Sequence, residues 1–454
     1  MHAERLTPTL PEAPLWGAQT DLSLRFFAIG TQPMPLALIH RMALLKGAAA
    51  EVNAQLGRLD LGRARAIAGA AQEVAEGLHD AQFPLSVWQT GSGTHSHMNV
   101  NEVIAALAQA QHPDGPIDAH DHVNLGQSSN DVFPSCVHIT AALLLRDALL
   151  PALHSLRALR TAKSKGWAGI VKLGRTHLQD ATLMTLGQEF SGYEAQLGQA
   201  ETTLQASRTG LHRLALGGTA VGNGVNGHPA FAPAVIALLA QRLDLPFTQS
   251  PNLFAAQAGL EPLVAVHAAL RGLAIALTKI ANDIRLMASG PRAGFGELRL
   301  PANEPGSSIM PGKVNPTQIE ALTMVCLQVM GHDLTIGLAA SQGQLELNAY
   351  QPLVALNLLD SLRLLADAMH SFGEHALAGL EPEPRQLKEQ VASSLMLGTL
   401  LTPHIGHEGA VRVVAHAKST GSTLRDAALA LHVADPMELD RWLDPQRSLT
   451  PQTD

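Results

Sequence analysis

The 454-residue sequence has only two cysteines, 4% aromatic residues and 15% charged residues. Each scarcity excludes something. Two cysteines cannot supply the usual ligand set of an iron–sulfur cluster. Cys136 and Cys326 each fall in an apolar, helix-like stretch, as buried free thiols of a reducing cytosol would. With a net charge of −8 and so few aromatics, there is no basic stripe and no stacking platform, so no nucleic-acid partner is expected. No run of eighteen or more uncharged apolar residues stands out, and no membrane span is expected. The opening M-H-A-E-R has no apolar h-region and is not the Arg- and Ser-rich start of a transit peptide. A cytoplasmic protein is therefore expected.

What the chain does have is apolar mass. With 46% hydrophobic residues it can bury a large core, and its length suggests about three domains. The low charge fraction also points to surface buried between subunits.

Residues 1 to about 30 are Pro-rich and read as irregular. From Met34 to about Gly77 the pattern is Ala/Leu-rich and helical, broken near Gly57 to Gly62. Leu263, Val266, Leu270, Leu273, Leu277, Ile280, Ile284 and Met287 step by 3, 4, 3, 4, 3, 4, 3, the seam of a long helix in a bundle. The stretch from Ala321 to Leu338 is apolar on several faces and predicts a helix buried on more than one side. Long helices with scarcely any strand signal give an all-α fold class. A short alternation, Glu297 to Leu300, predicts a small hairpin arm. Pro382 and Pro384 mark a linker to a smaller helical C-terminal unit.

Several polar clusters interrupt the helices. Gly91 and Gly93 make a loop that carries the hydroxyls of Ser92 and Thr94, with a helix expected from Asn99 to Ala110. Ser128, Ser129, Asn130 and Asp131 are N-cap residues ahead of a helical pattern from Val132 to Leu156. The free N–H groups of such a first turn attract carboxylates. Thr176 and His177 stand before another helical pattern, from about Thr185 to Leu214. A histidine at such a junction is an acid/base candidate. The pairs His95/His97 and His120/His122 raise metal binding, but they read as loop and lack a third ligand in register. Gly222, Gly224 and Gly227 match G-x-G-x-x-G, with Asp244 about twenty residues beyond. The stretch before them reads as helix, and the dinucleotide fingerprint needs a strand there.

The densest cluster is Asn303 to Glu320, N-E-P-G-S-S-I-M-P-G-K-V-N-P-T-Q-I-E. Pro305, Pro311 and Pro316 stiffen it, and Gly306 and Gly312 allow close backbone approaches. Ser307, Ser308, Lys313 and Asn315 lie between them, so the loop offers hydroxyls, an ammonium, an amide and N–H groups to an anion.

Five segments, G-S-G-T at 91–94, S-S-N-D at 128–131, G-R-T-H at 174–177, G-S-S-I-M-P-G-K-V-N-P at 306–316 and T-P-H-I-G at 402–406, resemble the fumarase/aspartase superfamily in its own order. G-K-V-N-P-T-Q resembles the class II fumarase branch. The resemblance covers essentially the whole chain. It implies three all-α domains, at about 1–127, 128–384 and 385–454. It also implies a homotetramer built on the central bundle, with each active site drawn from different subunits. The implied reaction is the reversible, metal-free and cofactor-free anti elimination of water from (S)-malate to give fumarate, a step of the tricarboxylic acid cycle. The resemblance makes Ser307 the base, aided by Lys313, and pairs His177 with Glu320 on the hydroxyl side. It assigns Ser92, Gly93, Thr94, Ser128, Ser129, Asn130, Thr176, Ser308, Lys313, Val314 and Asn315 to substrate binding. A second anion site aligns with Asp118, Ala119, His120 and Asp121. The chain departs from the pattern at His95 and His97, where G-S-G-T-Q-S-N is common, and at Leu125-Gly126, where Lys-Ser is common. The alternatives are an ammonia-lyase acting on aspartate, another C4-dicarboxylate lyase, or a non-catalytic structural homologue.

Overall fold

A computed structural model describes residues 14–449. The fold is mostly helical, with strands confined to three short two-stranded ladders among the described residues. The chain forms two compact units that interleave along the sequence. One takes the segment ending at Pro151, Glu201–Ala274 and Val325–Ala366. The other takes Ala152–Ala200, Ile275–Met324 and the segment from Asp367 onward.

In the first unit the helices Leu36–Gln55 and Leu61–Ala75 pack face to face. Alanines on both helices make the close approach possible, and Gly47 leaves room for the Ala71 methyl. The interruption at Gly57–Gly62 is where the sequence placed it. The described part of the first thirty residues includes a helix, Ala18–Phe26, where an irregular chain was expected. Its cap comes from far along the chain. The Glu102 carboxylate accepts from the N–H groups of Gly17, Gln19 and Thr20 and from the Thr20 hydroxyl. The opening M-H-A-E-R lies outside the described residues.

The heptad seam is as read. All eight of its residues are buried in the helix Glu261–Met287. The helix Thr317–Ala340 corrects an expectation. One face is buried through Ile319, Leu322, Cys326, Val329 and Ile336, but Met324, Leu327, Leu334 and Leu338 are 61–67% exposed. Ser129–Gly166, Glu261–Met287 and Thr317–Ala340 are also long and apolar enough to cross a membrane by length and composition. A search for eighteen uncharged apolar residues misses them because charged side chains such as Arg146, Arg271 and Asp333 interrupt each run.

In the second unit the strands Val171–Thr176 and Gln179–Thr185 form an antiparallel hairpin where only a loop–helix junction was expected. The alternation at 297–300 does not fold on itself. Leu298–Arg299 pairs with Glu381–Pro382. The two prolines are therefore not a free linker, and Pro384 opens the helix Pro384–Ser393. Beyond it, a small core gathers Val391, Leu401, Val413, Leu424 and Leu439 with Leu173 and Leu183 of the hairpin. The T-P-H-I-G stretch ends at a break inside Gly398–Thr420, where Gly406 has φ 70° and ψ 166°. His404 there stacks on Trp442 with ring centres 4.3 Å apart.

Candidate functional site

Two helix N-termini of the first unit meet in a polar cradle. Gly93, with φ 73°, caps the helix Thr94–Gln111. That helix begins five residues before Asn99, so His95 and His97 belong to its first turns and not to a loop. Ser128 caps the helix Ser129–Leu144 in a reciprocal box with Asp131. A chain of hydroxyls joins the two ends: Ser92 Oγ lies 2.7 Å from Thr94 Oγ1, which lies 2.7 Å from Ser129 Oγ. Asn130 is turned by its own donation to the Ala220 carbonyl at 2.8 Å. Free N–H groups and hydroxyls converging at two helix starts make a fixed field for a carboxylate.

The glycines here are needed for space. A Cβ on Gly91 would stand 1.5 Å from the Ala349 carbonyl oxygen, and one on Gly93 would stand 2.2 Å from the Phe133 ring. The Gln351 N–H also donates to the Gly91 carbonyl at 3.0 Å.

Asp131 underlies the cradle. Fully buried, its carboxylate accepts from the N–H groups of Ser128, Gly217 and Thr219 at 2.9–3.0 Å. Burial pushes it up to about 6, against the pull of those three donors. Sequence reading saw it only as a capping residue.

The second unit carries the Ser307 loop and His177. The loop around Ser307 is drawn into a lasso. The Gly306 N–H donates to the Lys313 carbonyl at 3.1 Å, and Asn315 Nδ2 donates to the Gly306 carbonyl at 2.7 Å. The neck is so tight that a Cβ on Gly306 would lie 2.2 Å from the Lys313 carbonyl oxygen. Inside it, Ser307 Oγ accepts from the N–H groups of Ile309 and Met310, both at 3.2 Å. Ser308, Lys313 and Val314 are exposed on the same loop. A crevice lined by Asn303, Val314, Asn315, Gln318 and His375 runs beside it.

His177 occupies the hairpin tip. With Thr176 paired to Gln179, His177 and Leu178 form a two-residue turn with φ 56° and 60°, the pattern of a type I′ turn. Buried charges hold the strands. Lys172 meets Glu189 at 2.5 Å and Glu297 at 3.1 Å, and Arg175 meets Glu297 at 2.5 Å. Among the described residues neither the His177 nor the Glu320 side chain has a hydrogen-bond or ion-pair partner, and both residues are exposed.

Asp118 caps the turn Ala119–Val123, accepting from the His120 and Asp121 N–H groups, which hold its carboxyl below the ordinary range. His120 Nε2 lies 2.6 Å from Gln19 Nε2. Among the described residues, no cluster of three or more His, Cys, Asp or Glu side chains could hold a metal ion. The G-x-G-x-x-G stretch does have strands around it, contrary to the sequence reading. Arg213–Leu214 precedes it and pairs in parallel with Thr248–Gln249 beyond the helix Phe231–Leu243. Each strand is two residues long, and a Cβ on Gly222 would meet the Phe254 backbone at 2.8 Å. Packing accounts for these glycines.

The family described as "Lyase" matches residues 7–331, and that described as "Fumarase C C-terminus" matches residues 397–448. A relative from Pseudomonas aeruginosa, "Fumarate hydratase class II 1", is 53% identical over 448 residues, covering 98% of this chain and 97% of its own. "Fumarate hydratase class II" of Thermosynechococcus vestitus is 53% identical, over 96% of this chain and 94% of its own. The crystal structure of a class II fumarase from Schistosoma mansoni superposes with a TM-score of 0.93 at 41% identity, over 98% of this chain and 97% of its own. The chain therefore belongs to the lyase family that includes the class II fumarate hydratases.

Proposed function

We propose that this lyase interconverts (S)-malate and fumarate by anti elimination and addition of water. The observation that carries this reading is the 53% identity to class II fumarate hydratases over nearly the whole chain, in a protein that has both the hydroxyl-lined helix ends at Thr94 and Ser129 and the Ser307 lasso. The difficult step is loss of a weakly acidic proton beside a carboxylate, which loads further negative charge on that carboxylate.

Ser307 takes the C3 proton. A serine is a poor base until its oxyanion is stabilised. The Ile309 and Met310 N–H groups already aim at Ser307 Oγ, and the Lys313 ammonium adds positive charge on the same loop. Lys313, Val314 and Asn315 hold one end of the substrate with Ser308. Ser92, Gly93, Thr94, Ser128, Ser129, Asn130 and Thr176 hold the carboxylates. His177, with Glu320 as partner, moves the proton on the hydroxyl side through a water. Among the described residues those two side chains have no partner, which fits a site completed between copies. The same proposal includes a homotetramer with shared sites, the three-segment division at 127 and 384, a cytoplasmic location and a second anion site at Asp118, Ala119, His120 and Asp121. The exposed apolar stripe of Thr317–Ala340 supports the assembly.

The test follows fumarate absorbance with purified protein. Malate is added in one run and aspartate in another, each with and without chelator. Fumarate from malate, indifferent to chelator, is expected. Fumarate from aspartate alone would replace the hydratase with an ammonia-lyase.

A further inference from the structure

Lys46 and His97 have no part in the chemistry above, and both are withdrawn from solvent, at 0% and 1% exposure. Lys46 Nζ lies 2.5 Å from His97 Nε2 and donates to Asn124 Oδ1 at 3.0 Å. His97 is the fourth residue of the helix that starts at Thr94, and Asn124 lies just before the Ser128 cap. One lysine thus ties together the two ends of the cradle from beneath.

At that separation one nitrogen must carry the hydrogen and the other must accept it, so the two groups cannot both be fully protonated. The titratable groups acting on it come from three elements: His97 itself on Thr94–Gln111, Asp131 and Cys136 on Ser129–Leu144, and His120 on the turn Ala119–Val123. Asp131 is committed to its three N–H donors, and the Cys136 thiol is pushed up to about 12 by burial and stays neutral. Burial brings the Lys46 ammonium down to about 7 and holds His97 well below the ordinary histidine range. The proton therefore resides on lysine and leaves near neutral pH. His97 is also a position where the chain departs from the family pattern.

We propose that Lys46, held by His97 and Asn124, is a positioning residue whose proton charges the carboxylate cradle from behind, so that dicarboxylates bind tightly when the pair is protonated and weakly when it is not. The proposal rests on the carboxylate-binding role given to the cradle.

Two measurements test it on the intact protein. Malate kinetics are followed from about pH 6 to about pH 9 in wild type, Lys46→Met and His97→Asn. Succinate binding is measured by calorimetry in two buffers of different ionisation enthalpy, which counts protons taken up. In wild type, KM should rise about tenfold through the deprotonation of Lys46, and succinate should draw in a proton. Lys46→Met should show the high KM throughout and no uptake, with kcat much less affected. His97→Asn, a gentler change, should keep the step but move it. An unchanged step in Lys46→Met, an unmoved one in His97→Asn, or no proton uptake by wild type would overturn the inference. Proton-linked succinate binding without malate turnover would sink the hydratase reading alone. Turnover without uptake would sink only the proton switch.

Discussion

The cradle and the lasso, to both of which the proposal gives substrate contacts, are built in opposite ways. In the cradle, Ser92, Thr94 and Ser129 are bonded to one another and backed by a buried carboxylate and a buried lysine. In the lasso, the neck is fixed by Gly306, Lys313 and Asn315, while the Lys313 side chain stays exposed. Binding a carboxylate needs geometry that does not change, so the cradle is locked by folding. Proton abstraction needs a stabilised base, and in the lasso two N–H groups hold Ser307 Oγ while the Lys313 side chain stays exposed. A change in the lasso should therefore cost rate, and a change in the cradle should cost affinity or stability.

The sharpest way to break this contrast is Ser307→Ala. It should lower kcat by about a thousandfold with an unchanged melting temperature, because the Ser307 side chain supports only its own loop. A variant with near-normal kcat would remove Ser307 from the base role. Gly91→Ala tests the opposite side. Its Cβ collides with the Ala349 carbonyl, and denaturant unfolding should show a loss of about 3 kcal/mol. A stability equal to wild type would show that this approach can relax at little cost.

Smaller changes refine the comparison. Thr94→Ala cuts the hydroxyl chain in the middle, and KM should rise about tenfold with kcat little affected. A fall in kcat at constant KM would place Thr94 with the reactive groups instead. Lys46→Met tests the fold by its pH dependence. Burial depresses Lys46 from 10.5 to about 7, so above pH 7 the unfolded chain holds more protons than the folded one and wild type gains stability as pH rises. Below 7 the buried charge opposes folding in full. The melting temperature of Lys46→Met relative to wild type should therefore be highest in acid and decline between pH 7 and about 10. A constant difference would mean that Lys46 does not change charge in the fold.

Much of this architecture was legible because it is local. The heptad seam from Leu263 to Met287 and the capping residues at 128–131 declare themselves within a turn or two of helix. The hydroxyls of the cradle were legible as residue types, though nothing in the sequence joins Thr94 to Ser129. What stayed hidden depends on distant partners. Glu102 caps a helix more than eighty residues before it, and Leu298–Arg299 finds its strand at Glu381–Pro382. Lys46 left one signal, a lone charge inside the apolar run Met42–Ala50. A charge there needs a buried partner, but the sequence does not say which. The exposed stripe on Thr317–Ala340 shows the same limit from the other side. Apolar faces can be counted in sequence, but what covers them cannot.

The hairpin tip carries a consequence for anyone who would improve this protein. A two-residue turn with both φ angles positive is a place for Asn-Gly, and His177-Leu178 there costs about 2 kcal/mol. An optimiser rewarded only for thermal tolerance would rewrite that pair early and would gain from doing so. If His177 moves protons as proposed, the stabilised product would be a hardier but much slower catalyst. Residues that fit their backbone badly at such tips are worth holding fixed before any redesign begins.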